Sequence, residues 1–267
     1  MSSLLQVDDL VVTYKSFGKE PFTAVKGVSL TVSPGEVVGL VGESGCGKST
    51  IARTVCGLES PSEGSIDFQG QSVKHLGMRK RADDQLRMQM VFQDPFNSLN
   101  PRRTVGSQIA DSVALAKRLG GTSPMDATDW LEKVELSSDD ATAFPHRFSG
   151  GQRQRIAIAR ALAAEPTLLI ADEPISALDA SLQAQIADLM SRLVRDSGAG
   201  MLFISHDLAV VRLIADRIMV MKAGKIVEEG PTEQVWNHPQ HEYTQTLLAS
   251  IPLPDGLGRL PGLAPTP

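Results

Sequence analysis

The segment EVVGLVGESGCGKST, Glu36 to Thr50, narrows the possible folds more than any other part of the chain. Apolar residues and glycine run without interruption into a glycine-rich loop, and a helical pattern, KSTIARTVCGL, follows at once. An unbroken apolar run predicts a strand buried on both faces, and such strands belong to parallel sheets covered by helices. Gly42 to Ser49 fit G-x-x-x-x-G-K-S/T in the required order of strand, loop and helix. Gly42, Gly45 and Gly47 let the loop wrap backbone N–H groups around phosphate oxygens with no Cβ in the way. Lys48 supplies a point charge for β- and γ-phosphates, and the Ser49 hydroxyl is a hard oxygen suited to Mg2+. A chance glycine turn is the bland alternative, expected on the order of once in a hundred chains of ordinary composition. Nucleotide binding is therefore predicted for Gly42, Glu43, Ser44, Gly45, Cys46, Gly47, Lys48, Ser49 and Thr50.

Two more apolar runs, TLLIAD from Thr167 and MLFISHD from Met201, break into polar residues at their carboxyl ends. Helical patterns follow them, SLQAQIADLMSRLVRDS and LAVVRLIAD, so strands alternate with helices around a parallel sheet whose carboxyl ends carry the site. Near the start, LLQVDDLVVTY and AVKGVSLTVS alternate with period two, as half-buried strands do. From about Asp94 to Ala164 the patterns are helical, with no strand candidate, which marks an inserted helical region. DRIMVMKAGKIVEEG predicts a hairpin turning at Ala223-Gly224, and TEQVWNHPQHEYTQTLLASI a short helical extension. The closing PLPDGLGRLPGLAPTP is expected to be extended or irregular.

Composition removes several classes. At 267 residues, 42% hydrophobic and 21% charged, this is an ordinary globular sequence of one large domain or two small ones. The formal net charge of −5 and the lack of a basic block argue against general nucleic-acid binding. Its longest apolar runs fall far short of a membrane span, and MSSLLQVDDL lacks the pattern of a secretory signal. Two cysteines, Cys46 and Cys56, make neither a disulfide framework nor a metal cluster. A cytosolic protein is expected, one that would serve a membrane only through a spanning partner.

Asp172 and Glu173 stand at the carboxyl end of a buried strand. Strand ends often carry solvated acids, but here Asp172 suits the metal's water shell, and Glu173 suits orienting and polarising the attacking water. His206 ends the next buried run at the same edge; taken alone it would be unremarkable, and beside this site it is expected to touch the γ-phosphate. Gln93, at a strand end, signals nothing alone. Tyr14 ends an N-terminal strand, where its ring could meet adenine or merely pack on the sheet.

FSGGQRQRIAIARAL, Phe148 to Leu162, is a second phosphate-grade helix start. Ser149, Gly150, Gly151 and Gln152 also spell a capping box, which alone would start a helix. Two successive glycines cost about a kcal/mol each relative to alanine, so their presence implies a close approach to the backbone. Ile156, Ala159 and Ala163 give the helix an apolar stripe.

With these residues in view, the chain resembles the ATP-binding cassette family over nearly its whole length. GESGCGKST matches Walker A, Gln93 the Q-loop, FSGGQ the signature, LLIADE Walker B, SALD the D-loop and His206 the switch. Phe148 stands where the signature usually has leucine, an apolar exchange of small consequence. The resemblance implies an α/β fold: a P-loop NTPase (RecA-like) core with an N-terminal antiparallel β-subdomain and an inserted α-helical subdomain. Residues 1–235 would form the ATPase domain, with core 1–93 and 165–235 and helical subdomain 94–164; residues 236–267 would be a C-terminal extension. ATP and Mg2+ are implied, with Ser49, Gln93 and Asp172 at the metal and Glu173 and His206 catalytic. Cassettes of this family pack head to tail, so Ser149, Gly150, Gly151 and Gln152 would act in trans on the partner's nucleotide, with Asp179 crossing the interface. The clamp closes on ATP and opens on hydrolysis.

VFQDPFNSLNPRRTV resembles the Q-loop region of the dipeptide, oligopeptide and nickel importer cassettes. HPQHEYTQTLLASIP is similar to their C-terminal HPYT…LL…IP segment, with QHE as a departure, and the preceding EEG also fits. His238 and His241 lack further ligands and are read as residues of a helix start rather than a metal site. Some members continue into a cysteine-rich segment holding an iron–sulfur cluster; no cysteine follows Cys56, so no such cluster is expected on this chain. The implied partners are a second cassette subunit, identical or paralogous, two membrane permease subunits and, indirectly, an extracytoplasmic solute-binding protein. Each permease would place a short helix in the groove of the helical subdomain and the Gln93 loop, on the cytoplasmic face of the membrane. The transported solute is not written in a cassette. Rival readings are the cassette subunit of the carbon–phosphorus lyase complex, a DNA-repair or chromosome-organising ATPase, and a degenerate cassette. The second lacks its coiled coils between Ser49 and Ser149, and the third is opposed by intact Glu173, His206 and signature.

Overall fold

The alternating segments at the start pair antiparallel as β1 (Leu5–Tyr14) and β2 (Phe22–Val32), with Leu5, Val7, Leu10 and Val12 turned inward. The computed structural model describes residues 3–15, 18, 20–77, 81–94, 98–176, 178 and 180–251. The expected D-loop residue Asp179 and the Pro/Gly-rich end from Pro252 lie outside them. The unbroken run forms β3 (Val37–Val41), every residue buried, and opens through the glycine loop into α1 (Lys48–Val55). β4 (Glu63–Phe68) and β5 (Gln71–Ser72) complete a sheet of order β2-β1-β4-β5.

After β6 (Met88–Val91) comes the helical insertion: α2 (Val105–Arg118), α3 (Ala127–Lys133) and α4 (Gly150–Leu162), with no strand among its described residues. Thr104 caps α2 by accepting from Ser107 N, and Asp126 caps α3 in a reciprocal box with Asp129. The chain then runs through β7 (Leu168–Asp172), α5 (Ala180–Ser197), β8 (Gly200–Ser205), α6 (Leu208–Ile214), β9 (Arg217–Lys222) and β10 (Lys225–Pro231). The β9–β10 hairpin turns at Ala223 and Gly224, both at positive φ, as a two-residue turn matched to strand twist requires. Two short helices, α7 (Thr232–Asn237) and α8 (Glu242–Ala249), end the described chain.

The second sheet has the order β10-β9-β3-β8-β7-β6, and β9, β3, β8, β7 and β6 are mutually parallel. Register aligns Val41 with Ser205, Asp172 with Ile204, and Val91 with Ala171. The carboxyl ends of β3, β8, β7 and β6 therefore form one edge. Gly42, His206, Glu173 and Gln93 follow those strands within two residues, so the edge collects them by topology alone.

Each central strand serves two cores. Val38 and Leu40 pack with the antiparallel sheet and α1, whereas Val37 and Val41 pack with the helices. β8 repeats this, with Leu202 and Ile204 on one side and Met201 and Phe203 on the other. Each such side chain, fully withdrawn from water, contributes about 1.5–3 kcal/mol.

Candidate active site

The glycine loop ends at Gly47, the residue before α1, at φ 114, with no side chain to cap the helix. A Cβ there would stand 2.5 Å from the Ala24 carbonyl oxygen, so glycine alone fits. First-turn N–H groups have no partner within a helix, and here they face the cleft as an anion site. The cleft, about 270 Å³, is lined by Ser44, Gly45, Gly47, Lys48, Ser49 and Thr50 from the loop, Tyr14, Phe22 and Ala24 from the antiparallel sheet, and Gln93 and Glu173. Lys48 is only 3% exposed. Its Nζ donates to the carbonyls of Gly42 at 2.7 Å and Glu43 at 2.9 Å and stands 3.8 Å from Glu173 Oε1. Burial raises the pKa of the Cys46 thiol, so that side chain stays protonated.

The Ser49 hydroxyl donates to Asp172 Oδ1 at 2.8 Å, and Asp172 is 3% exposed. Burial pushes the Asp172 pKa up, against the hydrogen bond from Ser49. A hydroxyl and a buried, under-compensated carboxylate in contact make a hard-oxygen pair that fits Mg2+. Glu173 sits at φ 43, a left-handed conformation uncommon for a side chain of its size. Its N–H donates to Ile204 O at 3.0 Å, tying the bend to β8. Its carboxylate accepts from Gln93 Nε2 at 3.3 Å and meets His206 Nδ1 at 3.3 Å. One carboxylate thus gathers the lysine, the glutamine and the histidine. Gln93, expected at the metal, places its amide on Glu173.

Tyr14 hydrogen-bonds through its hydroxyl to the Glu59 carboxylate and to Thr50 Oγ1, which fixes the ring at the cleft mouth. Burial, then the Glu59 contact, raises its pKa, so the hydroxyl remains protonated. Phe22 pairs with Tyr14 across the strands and is 61% exposed. Sequence reasoning missed Phe22 and Glu59. The alternating segment read from sequence begins at Ala24, and only the strand register puts Phe22 opposite Tyr14.

The second helix start lies outside this cleft: none of Ser149, Gly150, Gly151 and Gln152 lines it. Its capping box is formed, with Ser149 Oγ accepting from Gln152 N at 3.3 Å and Gln152 Oε1 accepting from Ser149 N at 2.9 Å. The two glycines differ. A Cβ on Gly151 would meet Leu182 Cδ2 of α5 at 2.7 Å, whereas one on Gly150 would meet nothing within 4 Å. The close approach expected of the glycine pair is made at Gly151 by the chain's own Leu182, whereas the space beside Gly150 is left open by its own chain. His241 accepts from Tyr243 N as the cap of α8. Among the described residues no group of three or more His, Cys, Asp or Glu is arranged to hold a metal, and no helix is long and apolar enough to cross a membrane.

The family described as ABC transporter matches residues 25–176, and that described as oligopeptide/dipeptide transporter, C-terminal region, matches residues 227–267. The oligopeptide transport ATP-binding protein OppF of Streptococcus mutans serotype c is 46% identical over 254 residues, covering 94% of this chain and 82% of that protein. OppF of Bacillus subtilis is 48% identical, covering 87% of this chain and 77% of that protein. Among solved structures, a dimeric post-hydrolysis state of the ATP-binding cassette MJ0796 with ADP and Pi has a TM-score of 0.70 at 29% identity, covering 85% of this chain and 98% of that one. CbiO1 from Clostridium perfringens, part of the ABC transporter complex cbiONQ, has a TM-score of 0.72 at 26% identity over 89% and 92%. The parallel-sheet core, the phosphate loop at its edge and these likenesses converge: the chain belongs to the ABC transporter family, as one of its ATPase cassettes.

Proposed function

We propose that the chain is the ATP-hydrolysing subunit of an importer for peptides or a related small solute, working through separate permease subunits. Its core would span residues 1–93 and 165–235, its permease-facing helical subdomain 94–164, and its C-terminal extension 236–267. The observation that carries the reading is the single edge on which Lys48, the Ser49–Asp172 pair and the Glu173–Gln93–His206 cluster meet, beside a cleft with Tyr14 and Phe22 at its mouth. Lys48 and the loop from Gly42 to Thr50 bind the phosphates, and Tyr14 and Phe22 take the adenine. Ser49 and Asp172, with Gln93 near, would hold Mg2+, which neutralises phosphate charge when bound. Glu173 orients and polarises the attacking water, and His206 and Gln93 hold its carboxylate and report on the γ-phosphate.

Ser149, Gly150, Gly151 and Gln152 point to a partner's nucleotide, because their own chain's cleft excludes them. Two cassettes, identical or paralogous, would then enclose two ATP molecules, with Asp179 at the same interface. The assembly would stand on the cytoplasmic face of a membrane, served by an extracytoplasmic solute-binding protein. The names of its relatives and the match of residues 227–267 support the peptide reading. The test is Glu173→Gln. Turnover should fall by about 10²- to 10⁴-fold while ATP binding persists and a closed dimer accumulates. Parental turnover by the variant would remove Glu173 from the reaction.

A further inference from the structure

α8 brings the C-terminal segment back onto the phosphate loop. Tyr243, in its first turn, is 6% exposed, and its hydroxyl oxygen accepts from the Glu43 backbone N–H at 3.1 Å. That N–H belongs to the Gly42–Glu43 peptide. The carbonyl of the same peptide accepts from Lys48 Nζ at 2.7 Å. A trans peptide is planar, with its N–H and C=O pointing in opposite directions, so fixing one fixes the other. One rigid unit is therefore held on one side by the tyrosine and on the other by the phosphate-loop lysine.

The tyrosine is itself well anchored. Glu228 of β10 accepts from the backbone N–H groups of Gln240 at 2.7 Å and His241 at 3.0 Å. His241 Nδ1 accepts from Tyr243 N at 3.0 Å. Lys222 Nζ lies 4.6 Å from the centroid of the Tyr243 ring, a cation–π contact. Burial raises the hydroxyl's pKa, so it carries its proton at neutral pH and serves the loop as a neutral acceptor. The peptide has little freedom elsewhere, since Gly42 sits so close to β9 that a Cβ would stand 2.2 Å from the Met221 carbonyl oxygen.

We propose that Tyr243 is a positioning residue for nucleotide binding: through the Gly42–Glu43 peptide it sets where Lys48 stands, and so couples the C-terminal segment to the affinity of the phosphate loop. This rests on the reading that the loop holds a triphosphate. A conformational change in the segment, imposed by whatever it touches in the assembly, then reaches the nucleotide without passing through the helical insertion.

The test is a binding cycle with ATP and Mg2+ on the full chain: parent, Tyr243→Phe, Lys48→Ala and the double variant. Phenylalanine keeps the ring, its packing and the Lys222 contact, and removes the hydroxyl with its bonds to the Glu43 backbone and side chain. ATP binding should weaken about 3- to 10-fold in the Lys48 background, the range of one lost hydrogen bond, and should not weaken further in the Lys48→Ala background. The unfolding midpoint without nucleotide should fall by a few degrees at most, and equally in both backgrounds, so that only the effect on ATP depends on Lys48. Glu228→Gln, which loosens the anchor of α8 and leaves the hydroxyl in place, should give the same background dependence with a smaller fall. Parental binding by Tyr243→Phe, or an equal fall in both backgrounds, overturns the assignment. A parent chain that binds no ATP overturns the functional reading instead.

Discussion

Gly150→Ala separates the two explanations for the signature glycines. Neither Gly150 nor Gly151 is at positive φ, so alanine is conformationally allowed at both. At Gly150 the new methyl meets nothing within 4 Å in its own chain. The substitution removes backbone freedom from the unfolded state, which stabilises the fold by about 0.4–1 kcal/mol where the native conformation accepts it. For a chain of this size that raises the melting midpoint by about 1–4 °C. If the space beside Gly150 is kept for a partner's triphosphate, the same methyl obstructs the composite site. The variant should melt higher than the parent without nucleotide, yet lose most ATP turnover and with it the steeper-than-linear dependence of turnover on protein concentration that a site built by two subunits predicts. Gly151→Ala should instead gain little or no stability, because Leu182 Cδ2 must move out of a 2.7 Å contact. Differential scanning fluorimetry and a phosphate-release assay across a dilution series measure both quantities. A Gly150→Ala protein with parental turnover and parental concentration dependence would refute the reasoning.

The Asp172 carboxylate is predicted to weaken the nucleotide-free fold. Burial raises its pKa, so the folded chain binds a proton there at a pH where the unfolded chain does not, and stability falls as pH rises through that window. Asp172→Asn should therefore melt above the parent at neutral pH, with the gap closing below about pH 4, while Mg2+-dependent turnover drops by about two orders of magnitude. An equal or lower midpoint at neutral pH would contradict this. Tyr14→Ala should weaken ATP binding by about 5- to 150-fold, the span of one lost stacking contact, and Tyr14→Phe by far less. Phe22→Ala should fall between them, and unchanged affinity in both alanine variants would move the adenine elsewhere.

The parallel core was legible because its strands carry their burial in their composition: β3, β7 and β8 are unbroken apolar runs that end in polar residues. β4 was not legible. EGSIDF offers only Ile66 and Phe68 as apolar residues, and it is a strand because those two pair opposite Val7 and Leu5 of β1. β5 is two residues paired with β4 across a tight turn, and β6 is four residues that owe their state to β7, far along the chain; neither is long enough to show a pattern. Within the site, motif spacing named the residues that stand on the loop and at strand ends, because topology delivers those to one edge. Glu59 and Tyr243 escaped because each touches a residue distant in sequence, and Phe22 because its place depends on the β1–β2 register. The close approach at Gly151 was legible, but not the group that makes it. Its neighbour, Leu182, lies on a helix whose packing no local pattern announces.

The left-handed backbone at Glu173 has an evolutionary edge. Holding a non-glycine residue there costs about 1–3 kcal/mol, which glycine would recover. A selection for heat resistance alone would thus push this codon away from the carboxylate, and only a simultaneous demand for turnover would hold it. Lineages of such cassettes that drift toward idle, structural duty would be expected to relax at this codon early, gaining durability as they give up the reaction.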